Sequence, residues 1–561
     1  KGDFTPYWED GAASSARETA LNRASAERLT QAETLFAMLN PKAYPAEEFY
    51  QAWRNVILYD EHTWGAHNSI SQPDHPFVKS QWAIKQAFAL DGDKQSRKLI
   101  ESALASRGGE PVSGESEVTA VDVFNTTPNS IPYALVVIPK ELVKDGDGVY
   151  SSPTNQSPMN FQKLSSGELV FRSCWAPYGI SRFYLKKGKG DSLSYTNAMA
   201  DGNTLKTRFL FLRVDENSGA ITSLRFTNYN KATFEFVNTN SPIGLNSYFY
   251  LPGSDLKGLK QNGPVKISIK ERGPLIASLL VESDAPGCNK LSREIRVHSL
   301  RHYVEIIDTV DKQAVRAKEG VHFGFAFNVP NATVRMDVPW GVVRPEIDQI
   351  PGACKNWFTV QHWVDIANDN YGVRWFTPDA PLVQIGGITA NLIGSLSNPR
   401  AWMDHIEPSQ TIYSWAMNNH WHTNYRAEQD GPTVFRYYIY PYGTKQLLGN
   451  GWVESFTAEC AAPLVVTRAR GELSKQPSFR LSNNKAQVTA FKPSEDGKAW
   501  IVRLFGSSNK DETVEFNWTG ATPKAVSLSD TSEQPLKPVP ATGKIAVPAL
   551  SIVTVRAEMA E

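Results

Sequence analysis

The stretch YDEHTWGAHNS, residues 59–69, packs two carboxylates, two histidines, a tryptophan and a glycine into eleven positions. It closes an apolar helical run and stands ahead of a long region with strand periodicity, so its place marks where one kind of structure gives way to another. His62 and His67 are five apart with Gly65 between them, and they therefore do not share a helix face as the histidines of HExxH do. Read from the residues alone, they remain open between metal ligation and capping or hydrogen-bonding roles. Asp60 and Glu61 are neighbours in sequence, and neighbouring side chains diverge, so they are not the facing carboxylate pair that glycoside hydrolysis requires. One of them is suited to orienting a histidine.

Upstream of this stretch the spacing is helical. Ser15-Ala16-Arg17-Glu18 reads as a capping box, and Leu21, Ala24, Leu29, Ala32, Leu35, Phe36 and Leu39 recur at three- and four-residue steps behind it, up to Asn40-Pro41. Pro45 suits the first turn of a second helix with Phe49, Trp53, Val56 and Ile57 as its apolar stripe, and this helix delivers residues 60–69 at its end. Pro76 opens a third helix through Val78, Trp82, Ile84 and Phe88. A further segment carrying Leu99, Ile100 and Leu104 is expected after a break at Asp91-Gly92-Asp93. The first hundred residues thus read as a helical bundle.

Beyond residue 110 the period changes to alternation, with Gly, Pro, Asn and Ser punctuating every ten residues or so, which is the pattern of an all-β region. Strands are expected at 133–139, 168–172, 205–214, 265–269, 275–281, 304–310 and 434–440, and later at 499–505, 513–518 and 545–555. Phe323, Phe325 and Phe327 alternate with smaller residues, which predicts a strand with one apolar face. A Gly-, Lys- and Ser-rich connection at 186–192 predicts a boundary near residue 200. The fold class expected is multidomain α+β: an N-terminal helical bundle followed by mostly antiparallel β-sandwich domains.

Composition narrows the function. With 58 basic and 58 acidic residues there is no net field and no basic stripe for a phosphate backbone, which excludes nucleic acid as a partner. No apolar run is long enough to span a bilayer, so no membrane partner is expected. The four cysteines, Cys174, Cys288, Cys354 and Cys460, are far apart, which argues against a zinc ribbon and a dense disulfide framework. The chain holds 15 Trp and 20 Tyr, many in polar company. Such aromatics pack on the C–H faces of sugars, although they also fill sandwich cores.

Two further stretches fit a site. NNHWHTNYRAEQ, residues 418–429, has too few apolar residues for a core strand and too many large ones for a mere turn, which favours a substrate-facing loop. NSYFYLPG, residues 246–253, runs alternation into a Pro-Gly stop; alone it reads as a strand end with surface tyrosines.

Taken together, GDFTPYWEDG at 2–11, YDEHTWGAHNS at 59–69, NSYFYLP at 246–252, EGVHFGFAFNVP at 319–330 and NNHWHTNYRAEQ at 418–429 resemble the retaining α-mannosidases of glycoside hydrolase family 38, in their bacterial branch. The resemblance implies an α/β barrel, a three-helix bundle and β-sandwich domains, with one zinc ion held by two histidines and two aspartates. One aspartate is also the nucleophile, and another aspartate is the acid/base. Carried onto this sequence, the last zinc histidine falls on His62. Thr63 stands where the family commonly has a sugar-binding aspartate, and its hydroxyl is the weaker hydrogen-bonding group. Trp8, Trp64, Tyr248, Asn424 and Arg426 are the further residues expected to meet substrate. His67 has no counterpart.

The resemblance places the nucleophile, the acid/base and the other zinc ligands upstream of the GDF segment. It therefore implies that these 561 residues are the C-terminal portion of a longer enzyme, inactive alone, with no catalytic residue in the chain. Asp3, Glu9 and Asp10 are poor replacements, since they share one short loop. The domains expected are the end of the barrel at 1–15, the bundle at 16–110, a small β-domain at 111–200, a large sandwich at 201–447 and a C-terminal β-domain at 448–561. A mannose-containing glycan is the expected partner, zinc the cofactor, and the periplasm or the medium the location. The rival reading is a non-catalytic carbohydrate-binding or scaffold assembly on the same fold.

Overall fold

The computed structural model describes residues 9–112, 118–188, 197–228, 230–339, 341–389, 402–421, 423–443, 452–473, 477–507, 509–539 and 543–560. The chain divides into two compact units: one holds residues 1–24, 55–91 and 193–453, the other residues 25–54, 92–192 and 454–561. The fold class is the one expected, a helical N-terminal region followed by antiparallel sheets. Trp8, Asp3, His422 and most of the 186–192 connection lie outside the described residues.

Three long helices come first: α1 (Ala16–Leu39), α2 (Ala46–Tyr59) and α3 (Pro76–Ser106). In α1 the second half follows the apolar spacing, with Leu29, Ala32, Leu35 and Phe36 buried. Its first half does not. Ala16, Glu18, Thr19, Asn22 and Ser25 are the buried residues there, and the polar ones are met by partners: Gln86 Nε2 donates to Glu18 Oε1 at 2.6 Å, and Asn22 Nδ2 donates to Asp60 Oδ1 at 2.9 Å. The expected capping box is absent. A 3₁₀ turn, Glu9–Ser15, leads straight into α1, and the Ser15 hydroxyl bonds Tyr59 Oη at 2.8 Å instead of the helix backbone.

Two other expectations need correction. Helix α3 runs unbroken through Asp91-Gly92-Asp93. The roughly 1 kcal/mol that a helical glycine costs is offset by local partners: Asp93 accepts from Arg97 Nε at 3.0 Å one turn on and also pairs with Arg28 of α1. Ile57 and Ile84, counted in the apolar stripes, are 65% and 55% exposed. At 100° per residue they lie one step round from Val56 and Lys85, which take the inward positions.

In the first unit, two antiparallel sheets enclose one core. One sheet runs in the order Phe358–Thr359, Leu382–Ile385, Thr411–Asn418, Glu319–Ala326, Leu245–Pro252, Ile221–Thr227, Leu210–Val214, Thr204–Lys206 and Met199–Asp201, with Thr233–Glu235 paired to Ile221–Thr227. The other runs Val265–Arg272, Ile276–Ser283, Cys288–His298, Val304–Lys312, Gly431–Gly443, Tyr371–Phe376, Trp363–Ala367, Thr333–Val338 and Gly341–Val343. Phe323 and Phe325 cross the gap to Phe435, Trp375 and Tyr437, with ring centroids 5.3–6.2 Å apart. The strand Glu319–Ala326 has its apolar face as expected, but every residue of it is buried. Gly320, His322 and Gly324, on the opposite face, are covered as well, which places the strand inside the layer stack rather than at a solvated surface.

The second unit holds two smaller β assemblies. Strands Thr119–Phe124, Ile180–Lys187 and Asp147–Tyr150 form one sheet, and Ile131–Ile138, Leu169–Trp175 and Phe161–Lys163 another, about a core that includes Val123, Val136, Phe171 and Phe183. The strand Val465–Arg468, which the sequence reading grouped with the last domain, pairs antiparallel with Thr119–Phe124. From Ser478 onward a five-stranded and a three-stranded sheet share a core of Phe479, Phe491, Trp500, Val502 and Val514.

Candidate functional site

The structure brings two of the singled-out stretches together although some 350 residues separate them. The turn after α2 carries residues 60–69, and the loop after strand Thr411–Asn418 carries 419–430. Trp64 meets Tyr425 edge-on, with centroids 5.6 Å apart and planes at 84°. Trp421 packs against Tyr425 at 5.2 Å, and the Thr423 hydroxyl donates to the carbonyl of His67. The 3₁₀ turn Glu9–Ser15 closes the third side. Asp10, fully buried, accepts from Trp421 Nε1 and from Tyr425 Oη, the latter at 3.3 Å. A Cβ on Gly11 would lie 2.6 Å from Trp64 and 2.8 Å from Tyr425, so only glycine lets the turn approach the rings.

Loop 419–430 is held by amides. Gln429 accepts from the Ala16 backbone N–H at 2.9 Å and donates to the Ala13 carbonyl at 2.8 Å, while Asn418 donates to the Asp10 carbonyl at 2.9 Å. Asn419 donates to the carbonyls of Val315 and Ala317, both at 2.8 Å, and its Oδ1 accepts from the Glu319 N–H at 2.6 Å. The Asn and Gln residues that looked too polar for a core strand are therefore scaffold. They satisfy backbone groups that a loop would otherwise leave buried and unpaired.

Lys85 of α3 lies behind Trp64, 5.2 Å from its ring, and donates to the carbonyls of Leu58 at 3.2 Å and Glu61 at 2.7 Å. It thus supports the C-terminal end of α2 with a cation, where the helix dipole favours one. Burial lowers its pKa to about 8. Nothing in the periodicity of α3 singled it out, because a lysine in an apolar run reads as a solvated position.

The expected site residues fall into distinct places. His62 is two-thirds exposed, with Nδ1 turned to Glu61 Oε1, so the carboxylate that orients a histidine is Glu61. Thr63 bonds Glu61 through both its hydroxyl and its backbone N–H. Asn424, half-buried, adopts a left-handed φ of 64°. Arg426 stacks over Trp82 of α3 at 4.6 Å, and the His67 ring lies beside Phe77 at 6.0 Å. Tyr248 is neither at the surface nor beside these residues: it is 1% exposed in the sandwich core and donates to the Pro286 carbonyl at 2.6 Å. Its neighbour Asn246 donates to the buried Asp308 at 3.0 Å, and the Asn246 carbonyl accepts from buried Arg293 at 3.2 Å, so NSYFYLP is core structure. Among the described residues no group of three or more His, Cys, Asp or Glu is disposed to hold a metal.

A second polar cluster went unremarked in the sequence. His322, Trp415 and His420 surround Gly320: a Cβ there would lie 2.9 Å from His322 Cε1, 3.2 Å from Trp415 Nε1 and 3.4 Å from His420 Nε2. Both histidines are 1% exposed, and neither ring nitrogen of either one makes a hydrogen bond to the described residues. Burial, with the second histidine beside His322 and the cation of Lys318 beside His420 adding to it, lowers the pKa of His322 to about 3 and that of His420 to about 4. The usable signal was His322 itself, a histidine on the face of the strand opposite Phe323 and Phe325.

Comparisons with known proteins agree with this order of a helical region followed by antiparallel sheets. A sequence profile described as the glycosyl hydrolases family 38 C-terminal beta sandwich domain matches residues 485–556, the last sandwich of the chain. The whole fold is similar to that of an alpha-mannosidase from Enterococcus faecalis V583, at TM-score 0.70 and 14% identity over 99% of this chain and 69% of that one. It is similar also to a glycosyl hydrolase family 38 protein from Enterococcus faecalis, at TM-score 0.68 and 14% identity over 100% of this chain and 72% of that one. No curated protein matches the sequence. The last sandwich thus matches the family 38 C-terminal model, and the fold is shared with an alpha-mannosidase and a family 38 protein, in line with the resemblance carried by the five stretches together.

Proposed function

We propose that the chain forms the bundle and β-domain portion of a zinc-dependent retaining α-mannosidase acting on mannose-containing glycans in the periplasm or the medium. The observation that carries this reading is the closure of residues 59–69 onto 419–430 through Trp64, Tyr425 and the Thr423–His67 bond, on a fold shared with an α-mannosidase. His62, Thr63 and Asn424 belong to the two segments so joined and would offer an imidazole, a hydroxyl and an amide to a polyol. His62, oriented by Glu61, would be one zinc ligand; a bound zinc would hold adjacent hydroxyls of the sugar. One imidazole is not a metal site, so the remaining ligands, the nucleophile and the acid/base would come from outside the described residues. Asp10 is unsuited to either catalytic role, since Trp421 and Tyr425 already engage both its oxygens.

Hydrolysis of an aryl α-mannoside tests the proposal. A protein joining this chain to an upstream catalytic barrel should turn over, lose activity to a chelator and regain it with zinc, while the chain alone should not turn over and should hold zinc at well below one equivalent. A longer protein that binds mannose glycans without hydrolysing them would favour a carbohydrate-binding assembly. Zinc-dependent turnover by this chain alone would overturn the division of labour.

A further inference from the structure

At the Met199–Asp201 end of its sheet, the first unit turns a charged face to solvent. Leu205, Leu212, Leu224 and Phe226 point into the core and are buried. Alternation along the strands puts Lys206, Phe211, Arg213 and Arg225 on the other face, and the register joins them. Phe211 stands opposite Lys206 on one side and opposite Arg225 on the other, while Arg213 stands between Thr204 and Ser223. Directly opposed residues of antiparallel strands share a face, so one ring and three cations form a single surface. Lys206 and Arg225 are two strands apart, about 9.5 Å, and Arg213 lies about 7 Å along the strand from Phe211.

The ring organises the cations. The Arg225 guanidinium sits over Phe211, 4.2 Å from its centroid, and that of Arg213 lies at 5.7 Å. Stacking of this kind uses the flat face of the guanidinium and leaves the N–H donors at its edge unspent. Lys206, Arg213 and Arg225 are exposed, and none of them makes a hydrogen bond or ion pair to the described residues.

Nearby carboxylates do not neutralise them. Glu235 stands opposite Arg225 but accepts from the Ser223 hydroxyl at 2.6 Å and from the N–H groups of Leu224 and Val237 at 2.7 and 3.0 Å. Asp201 lies on the edge strand, opposite Thr204 rather than a cation. What remains is an open, positive surface with unengaged donors spread across three strands.

We propose that this face binds a linear polysaccharide bearing carboxylates, a uronic-acid chain, with successive carboxylates pairing to Arg213, Arg225 and Lys206. A guanidinium matches a carboxylate because two parallel N–H donors meet two oxygens. Cations spaced over an open face suit a repeating anion better than a single small one, since each exposed pair is weak and affinity comes from engaging several at once. Arg225 already covers the ring of Phe211, so the surface offers no stacking platform for the bases of a single-stranded nucleic acid.

Calorimetric titration of the whole chain with an oligomer of D-galacturonate, the methyl ester of the same oligomer and poly-L-glutamate tests this. Saturable heat with the galacturonate oligomer, reduced by added salt and weakened about tenfold or more in the Arg213→Gln/Arg225→Gln variant, as the loss of two exposed pairs predicts, supports the site. These side chains are exposed, and an unchanged thermal midpoint would show an intact fold; Lys206→Gln, with a smaller expected loss, serves as a second variant. No saturable heat with the oligomer, undiminished binding by both variants, equal binding of the uncharged ester, or equally tight binding of poly-L-glutamate would overturn the proposal, the last by assigning the face to acidic protein segments.

Discussion

Trp64 and Tyr425 meet edge to face at 5.6 Å, and this contact ties the turn that follows the second helix to a loop more than 350 residues later. Edge-on aromatic pairs contribute about 0.5–1.5 kcal/mol beyond the area they bury. The pair also leaves no room at Gly11. Tyr425→Ala should lower the stability of the first unit by about 3–5 kcal/mol, and Gly11→Ala by about 1–3 kcal/mol through overpacking. Urea unfolding followed by tryptophan fluorescence reads both.

Asp10 is the acceptor that Trp421 and Tyr425 share. Asp10→Ala strands two buried donors and should cost about 3 kcal/mol. Tyr425→Phe removes one donor and leaves the carboxylate bound to Trp421, so its cost should stay near 1 kcal/mol. Equal losses for the two variants would show that Asp10 does not organise the cluster.

His322 and His420 make stability depend on pH. Both are held below the ordinary value of 6.5, at about 3 and about 4, so between pH 6.5 and pH 4 the unfolded chain binds protons that the folded chain refuses. Stability is full above pH 6.5 and falls as pH drops, by about 2 kcal/mol per histidine at pH 5. Replacing both with Gln should flatten the slope of unfolding free energy between pH 5 and pH 7. An unaltered slope would assign the acid sensitivity elsewhere.

Asp122 holds two guanidinium groups in the second unit. Asp122→Ala leaves Arg107 and Arg182 facing one another without an anion, and breaking a buried pair in this way costs about 3–5 kcal/mol. The loss should appear in a thermal melt followed through the second unit's tryptophans, Trp175 and Trp500 among them.

How far the sequence was legible follows from what each residue does. The helix carrying Phe49 and Val56 and the strand carrying Phe323 and Phe325 were readable because burial repeats at the period of the element. Ser15 and the first half of α1 were not, since Glu18 and Asn22 are buried by partners that come from Gln86 and Asp60. Periodicity cannot see such pairings. At the site, 59–69 and 418–429 were recognisable as unusual, but their contact depends on ring geometry at Trp64 and Tyr425. Tyr248 misled because alternation gives a side chain's face without saying which face is covered.

The strand Val465–Arg468 has one more consequence. It lies at the end of its sheet, hydrogen-bonded to Thr119–Phe124, and so occupies the outer backbone groups of a strand whose six residues are all buried. A protein trimmed at residue 448 would lose it and bare a ladder of N–H and C=O groups flanked by Val121, Val123 and Phe124. An uncovered apolar edge of that kind recruits other chains. The short segment thereby covers an edge that is otherwise open to self-association, and the complete sheet of the small β-domain includes residues more than 340 positions beyond the strand they pair with.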